Sequence, residues 1–350
     1  MKVLLAARIP DPSGFRPAGW LPGAHLQTVW GRLVRSRRLV PMRREALTTP
    51  DGDELLIDHI EGPLGSPRVI VLHGLEGSSN SVYAQGLLFE IRRRGWRGAA
   101  MNFRSCARDP ADLARMLPNR RPRMYHSGET GDLDFLARTL TEREPGSRLF
   151  AIGVSLGGNV LLKWLGEQGA NAPVDAAVAI STPYDLAASA GHLDTTLGRL
   201  YTQRFLVTLK RKAAEATRRF PEAAGRIDLP RTLASRTFRE FDDAANAPLH
   251  GFAGADDYYR RASSLAFLGG IATPTLCLSA EDDPFLPRAT LDRARAAASP
   301  SVEFMVTKRG GHIGFVGGGL PWRPSYWAET FAVDWLEEKS KGLGVEASRG

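Results

Sequence analysis

The chain has 350 residues, of which 43% are hydrophobic and 24% charged; these values suit a globular protein with a single core that carries a large insertion. No apolar run approaches the roughly 20 residues that a membrane span requires, which excludes an integral membrane protein. The net charge of +8 is confined to Arg199–Arg239, where eleven Lys and Arg stand against Glu215, Glu222 and Asp228. No nucleic-acid motif or interleaved aromatic pattern accompanies that charge, so a nucleic-acid partner is not expected.

At the amino end, MKVLLAARIPDP holds an apolar stretch of only Val3 to Ala7 before Arg8, too short for the core of an export signal, and a cytoplasmic protein is expected. Residues 1–37 read as an extension packed on the core, with HLQT (25–28) in a tail lying on the sheet, the alternative being that it lines the site. The segment RRLVPMRREALTTPDGDELLIDHI predicts two strands turning at Asp51-Gly52, an antiparallel edge hairpin.

A series of short apolar runs then follows: RVIVLHG (68–74), GAAMNFR (98–104), SRLFAIG (147–153), DAAVAIS (175–181), PTLCLSA (274–280) and VEFMVT (302–307). Each predicts a buried strand. Between most of them lie helical patterns such as LDFLARTL, with Leu133, Leu136 and Leu140 on one face. Strand alternating with helix predicts an α/β fold, a mostly parallel sheet covered on both faces. The alternation breaks over 186–268, which predicts a helical, basic insertion after the sixth strand; the core resumes over 269–340, and 341–350 reads as a flexible tail. Cys106 and Cys277 lie far apart and form neither a disulfide framework nor a metal spacing.

GVSLGGN (153–159) poses the chemical question. With 36 Gly and 21 Ser in 350 residues, G-x-S-x-G arises by chance roughly 0.2 times per chain, so the motif alone is weak. Its context is stronger, because a nucleophile elbow needs a strand before it, a helix after it and glycines two residues to either side. LFAIG, Ser155 and GGNVLLKWLGE meet all three needs.

A serine nucleophile needs a histidine base and an acid, in the order Ser, Asp/Glu, His in this fold. Of seven histidines only His192, His250 and His312 follow Ser155, and only His312, in VTKRGGHIGF, lies beyond the last strand. The acid belongs just past the seventh strand, where SAEDDPFLP offers Glu281, Asp282 and Asp283. Asp283 is preferred because Pro284 biases it toward extended backbone, and Asp282 is the competitor. For the oxyanion, the backbone N–H groups of Leu156 and Leu75 are the expected donors. His73 ends a buried strand and precedes Ser155, so a structural role is expected of it; Arg104 reads as a structural salt bridge, and the Asp242, Asp243 and His250 segment as architecture of the insertion rather than a metal site.

These residues resemble the YheT-like branch of the α/β-hydrolases, related to mammalian lipases of the ABHD1, ABHD2 and ABHD3 type. The similarity is carried by PGAHLQTVWGRL, VLHGLEGSSNSVYAQGL, NFRSCARD, RMYHSGETGDL, GVSLGGNVLLKWLGE, STPYDLAASA, FREFDDAANAPLHGFAGADDYY, SAEDDPFLP and RGGHIGF, spanning Pro22 to Phe315. It implies a hydrolase fold with a helical lid, a triad on Ser155, Asp283 or Asp282, and His312, and action on carboxylic esters such as acylglycerols or phospholipids. The expected enzyme is therefore a serine hydrolase for a small-molecule ester, lipid substrates included, that requires no cofactor and no metal. The same triad would serve a thioesterase or an amidase, and a noncatalytic binding scaffold is the alternative of another class. The basic lid, with Leu200, Phe205, Leu209 and Phe220 among its cations, is a candidate surface for transient contact with an anionic membrane, set against the simpler reading of a solvated outer face.

Overall fold

The computed structural model describes residues 14–35, 40–195 and 197–347. The Val3–Ala7 stretch, the end of the amino-terminal extension and the last three residues of the expected tail lie outside them. Helix α1 (Ala24–Val34) precedes the hairpin β1 (Arg43–Thr48) and β2 (Glu54–Ile60), whose turn is closed by a Gly52 N–H bond to the Thr49 carbonyl at 2.8 Å. Gly52 holds φ +75, a conformation that favours glycine.

The core then alternates: β3 (Arg68–Leu72), α2 (Val82–Arg93), β4 (Arg97–Asn102), α3 (Gly131–Arg143), β5 (Leu149–Val154), α4 (Leu156–Gln168) and β6 (Ala176–Ile180). The insertion follows as α5 (Leu186–Leu193), α6 (Gly198–Arg219), the short α7 (Pro221–Ala224), α8 (Leu229–Ala234) and α9 (Phe238–Phe241), a π-helical turn over Asp242–Asn246, α10 (Ala247–Leu249) and α11 (Ala255–Ala262). The chain returns through β7 (Thr275–Ala280), α12 (Arg288–Ala297) and β8 (Val302–Thr307), a two-residue ribbon of β9 (Val316–Gly317) with β10 (Ser325–Tyr326), and α13 (Trp327–Ala347). Helix α13 thus continues through most of the segment expected to be a tail, and Lys341 pairs with Glu337 one turn back at 3.1 Å.

Eight strands form one sheet in the order β1-β2-β4-β3-β5-β6-β7-β8, antiparallel at β1-β2 and β2-β4 and parallel elsewhere. All six runs are strands of this sheet; the first five are apolar at consecutive positions and covered on both faces, whereas β8, expected to be buried, is the edge strand, half-buried and exposing Glu303, because no strand lies beyond it. One face packs against α3, α4 and α12 through Leu136, Trp164 and Leu291; the other packs against α2 and α13 through Leu87, Ile91 and Val333. The insertion has its own apolar cluster, in which Leu206, Leu209 and Phe241 close around Met124 of the core, with Leu75 packed against it.

HLQT lies differently from the expectation. Helix α1 sits beside α2 and β9 rather than on the sheet, because buried Gln27 brackets Val316, donating to its carbonyl at 3.1 Å and accepting from its N–H at 2.7 Å. That pairing turns His25 and Thr28 toward the cavity described below.

Candidate active site

Ser155 stands between the end of β5 and the start of α4 with φ +54 and ψ −118, a conformation that a side-chain-bearing residue adopts only when its surroundings enforce it. Its N–H donates to the Ile180 carbonyl at 2.8 Å, and its own carbonyl accepts from Asn159 N–H at 3.1 Å. The flanking glycines are sterically required. A Cβ on Gly153 would lie 2.4 Å from the Gly157 carbonyl oxygen, and one on Gly157 would lie 2.6 Å from the carbonyl oxygens of Leu72 and His73. One turn into α4, fully buried Asn159 donates to the carbonyls of Ser127 and Ala262 and accepts from Ser264 N–H, each at 2.8 Å, so the elbow helix is fastened to the end of the insertion.

The structure brings Ser155, His312 and Asp283 into one hydrogen-bonded line. Ser155 Oγ lies 2.9 Å from His312 Nε2, and His312 Nδ1 lies 2.8 and 3.1 Å from the two Asp283 oxygens. Nδ1–H donates to the carboxylate, which leaves Nε2 to accept the serine proton. Asp283 and His312 are both buried, and the Phe285 ring stacks on the imidazole at 4.1 Å between centroids, shielding the pair from water. Asp282, the competitor, instead accepts from Gly311 N–H at 2.9 Å and holds the histidine loop, while burial pushes its carboxyl above the usual range. His312 N–H donates to Thr28 Oγ1 at 2.9 Å. Thr28 thus follows the site-lining alternative for HLQT, although a partner 284 residues from His312 carries no local signal of this particular contact; Phe285, two residues after Asp283, was not among the expected site residues.

Loop 74–77 lies against the serine, since a Cβ on Gly74 would fall 3.2 Å from Ser155 Cβ. Tyr83 Oη accepts from Gly74 N–H at 2.8 Å, Tyr125 Oη from Glu76 N–H at 2.7 Å, and the Gly74 carbonyl from Gly77 N–H at 3.0 Å. Among the described residues the Leu75 N–H has no partner, and the Leu156 N–H, first in α4, has no carbonyl one turn back to bind. Both residues line the same cavity as Ser155.

His73 and Arg104 hold structural positions. Burial lowers the His73 imidazole to about 4, so it stays neutral: Nδ1 donates to the Gly74 carbonyl at 2.7 Å and Nε2 accepts from Phe103 N–H at 3.1 Å. Arg104 is buried and bridges Asp132, Asp51 and Asp53 at 2.6, 2.7 and 3.1 Å.

Ser155 opens into a cavity of about 970 Å³ between the sheet and the insertion, with Leu193, Phe205, Leu209, Phe238 and Phe241 among its walls. That is the large end of small-molecule sites. Asp242 also faces this cavity, buried, accepting from Tyr259 Oη at 2.7 Å and from Asn246 Nδ2 at 3.2 Å. Burial raises its carboxyl to about 7. No cluster of three or more potential metal ligands occurs among the described residues.

The profile of the family described as alpha/beta hydrolase fold matches residues 67–318. YheT of Escherichia coli (strain K12), which carries an esterase designation, is 39% identical over 325 residues, 92% of each chain. Phospholipase ABHD3 of Mus musculus is 29% identical over 91% of this chain and 77% of its own, and a monoacylglycerol lipase of Saccharomyces cerevisiae is 28% identical over 78% of this chain and 59% of its own. Among solved structures, an esterase of Pyrococcus furiosus shares the fold with a TM-score of 0.53 and 19% identity, over 88% of this chain and 91% of that one. With the family profile spanning most of the chain and YheT matched almost end to end, this protein belongs to the α/β-hydrolase family, in its YheT-like branch.

Proposed function

We propose that the protein is a serine hydrolase of carboxylic esters that works through Ser155, His312 and Asp283. The observation that carries this reading is the unbroken line from Ser155 Oγ through the imidazole to Asp283 at the floor of a large, mainly apolar cavity. His312 Nε2 takes the serine proton as Oγ attacks the ester carbonyl, and the Leu75 and Leu156 N–H groups receive the oxyanion. The imidazolium, stabilised by Asp283, then protonates the departing alcohol. Water activated by the neutral imidazole releases the acid. Ester is favoured over thioester or amide by the designations of the relatives, and the apolar walls fit an acyl chain. The complete triad argues against a purely binding role.

The helical insertion serves as a lid in this reading. Leu33 of α1, with Leu197 and Leu200 at the start of α6, is exposed at the cavity rim, and Arg199, Arg204 and Arg211 are exposed along the same helix. Such a rim suits transient contact with an anionic lipid surface. No helix among the described residues is long and apolar enough to cross a membrane.

A fluorophosphonate probe tests the core of the proposal. Wild type should label stoichiometrically and Ser155→Ala should not, with hydrolysis of a short-chain p-nitrophenyl ester lost in parallel. Folded wild type that neither labels nor hydrolyses any of a series of acyl esters would refute it.

A further inference from the structure

The cations of α6 do not share one environment. Arg199, Arg204, Arg211 and Arg218 are exposed, whereas Lys212 is buried at 7% accessibility and points into the core. Its Nζ reaches Glu76 Oε1 at 2.6 Å and Cys106 Sγ at 3.1 Å, and lies 5.0 Å from the centre of the Tyr125 ring. Glu76 is the residue after Leu75, and it holds φ +56, which its neighbours must enforce in a residue with a side chain. They do so at both ends. Tyr125 Oη accepts the Glu76 N–H and donates to Glu76 Oε1 at 2.8 Å, and Lys212 neutralises the same carboxylate. Lys212 holds the buried carboxyl below its usual range. Leu75 itself is wedged between the main core and the apolar cluster of the insertion.

We propose that Lys212 is a positioning residue that ties the lid helix to the oxyanion loop, so that the Leu75 N–H faces the reacting carbonyl only while α6 is seated. This rests on the proposed roles of Ser155 and Leu75. Without the ammonium, Glu76 would be a buried anion with only the neutral hydroxyls of Tyr125 and Thr208 beside it, and its Oε2 already lacks a hydrogen-bond partner among the described residues. An unpaired buried carboxylate is strongly unfavourable and turns toward the water of the cavity, which the residue lines, carrying the loop with it. The Leu75 donor acts on charge that develops in the transition state, so its displacement lowers kcat and leaves ground-state binding largely intact.

The test compares wild type, Lys212→Met, Glu76→Gln and the double variant on a short-chain p-nitrophenyl ester, with thermal unfolding as a fold control and hydrogen–deuterium exchange over residues 74–77. Lys212→Met should lower kcat at least tenfold, change KM less than threefold and speed exchange in the loop. It should also weaken a boronic acid transition-state analogue in step with kcat. In the Lys212→Met background, Glu76→Gln should recover part of kcat by removing the stranded anion. If Lys212→Met does not fold, Glu76→Gln alone should show the same pattern with a smaller amplitude. A folded Lys212→Met with unchanged kcat and unchanged loop exchange would overturn the inference, as would a loss confined to KM. Failure of wild type itself to label or turn over would count against the proposed function, and the loop exchange would still decide whether Lys212 holds residues 74–77.

Discussion

Asp242 gives the sharpest quantitative expectation. It is buried in the cavity wall with no cation among its hydrogen-bond partners, and burial raises its carboxyl from 3.8 to about 7. A carboxyl that binds its proton more tightly in the native state contributes stability in full below pH 3.8 and loses it as pH climbs through about 7. The shift of roughly 3 units corresponds to at most about 4 kcal/mol between acidic and alkaline conditions. Asp242→Asn removes the ionisation while keeping the shape. The amide oxygen still accepts from Tyr259, and a flip of Asn246, whose Oδ1 has no partner among the described residues, supplies an acceptor for the new amide N–H. An unfolding entropy of about 2.1 cal/mol/K per residue makes 1 kcal/mol worth about 1.4 °C in a chain of 350 residues. The expected Tm of Asp242→Asn is therefore close to that of wild type near pH 3.5, about 2 °C above it at pH 5 and up to about 5 °C above it at pH 8.5, measured by scanning calorimetry in matched buffers. A Tm difference that stays flat with pH, or one that favours wild type at alkaline pH, would show that Asp242 ionises as easily in the native state as in the unfolded one.

Two further outcomes follow from the site. Asp283→Asn should reduce kcat on a short ester by roughly 10⁴-fold, because the amide no longer stabilises the imidazolium and favours the wrong tautomer; Asp282→Asn, whose carboxylate meets backbone N–H groups of Gly311 and Gly310 and not the imidazole, should cost less than about tenfold, and the opposite ranking would reassign the acid. Gly157→Ala places a methyl 2.6 Å from two backbone oxygens of the neighbouring β3 segment, so it should destabilise the fold by about 1–3 kcal/mol in urea unfolding and slow probe labelling of Ser155.

The legible parts of this chain are those where local geometry restricts the residue type. Gly153 and Gly157 are required because carbonyl oxygens occupy the space a Cβ would fill, and that requirement is written two residues to either side of Ser155. The buried strands were readable for a similar reason, since strands covered on both faces need unbroken apolar runs. What the sequence concealed depends on contacts between distant segments. Thr28 meets the His312 backbone from a helix near the amino end, and nothing in HLQT distinguishes a site-lining helix from a packed tail. Lys212 is one of eleven cations between Arg199 and Arg239, and its burial depends on the rotation of α6 about its axis and on an acidic partner 136 residues away. Net charge over a segment carries no information about which of its members turns inward.

The same distinction explains how the imidazole reaches the serine. Ser155 follows β5 and His312 follows β8, and the sheet order places β6 and β7 between them, so the loop after β8 must span three strand spacings, roughly 14 Å. Gly310 and Gly311, at φ +159 and +60, start the excursion. Three successive N–H groups then fix it: Gly311 to Asp282 after β7, His312 to Thr28 on α1, and Ile313 to Ser181 Oγ after β6 at 3.1 Å. Each strand the loop crosses contributes a side chain from its carboxyl end that accepts one of these bonds. The residue beside Asp283 is thereby given its own task, anchoring the histidine loop, while Asp283 accepts from the imidazole and from the Phe285 N–H of its own turn at 2.8 Å. Adjacent aspartates divide the work, Asp283 on the ring and Asp282 on the backbone, a division that the bias of Pro284 toward an extended Asp283 signals only in part.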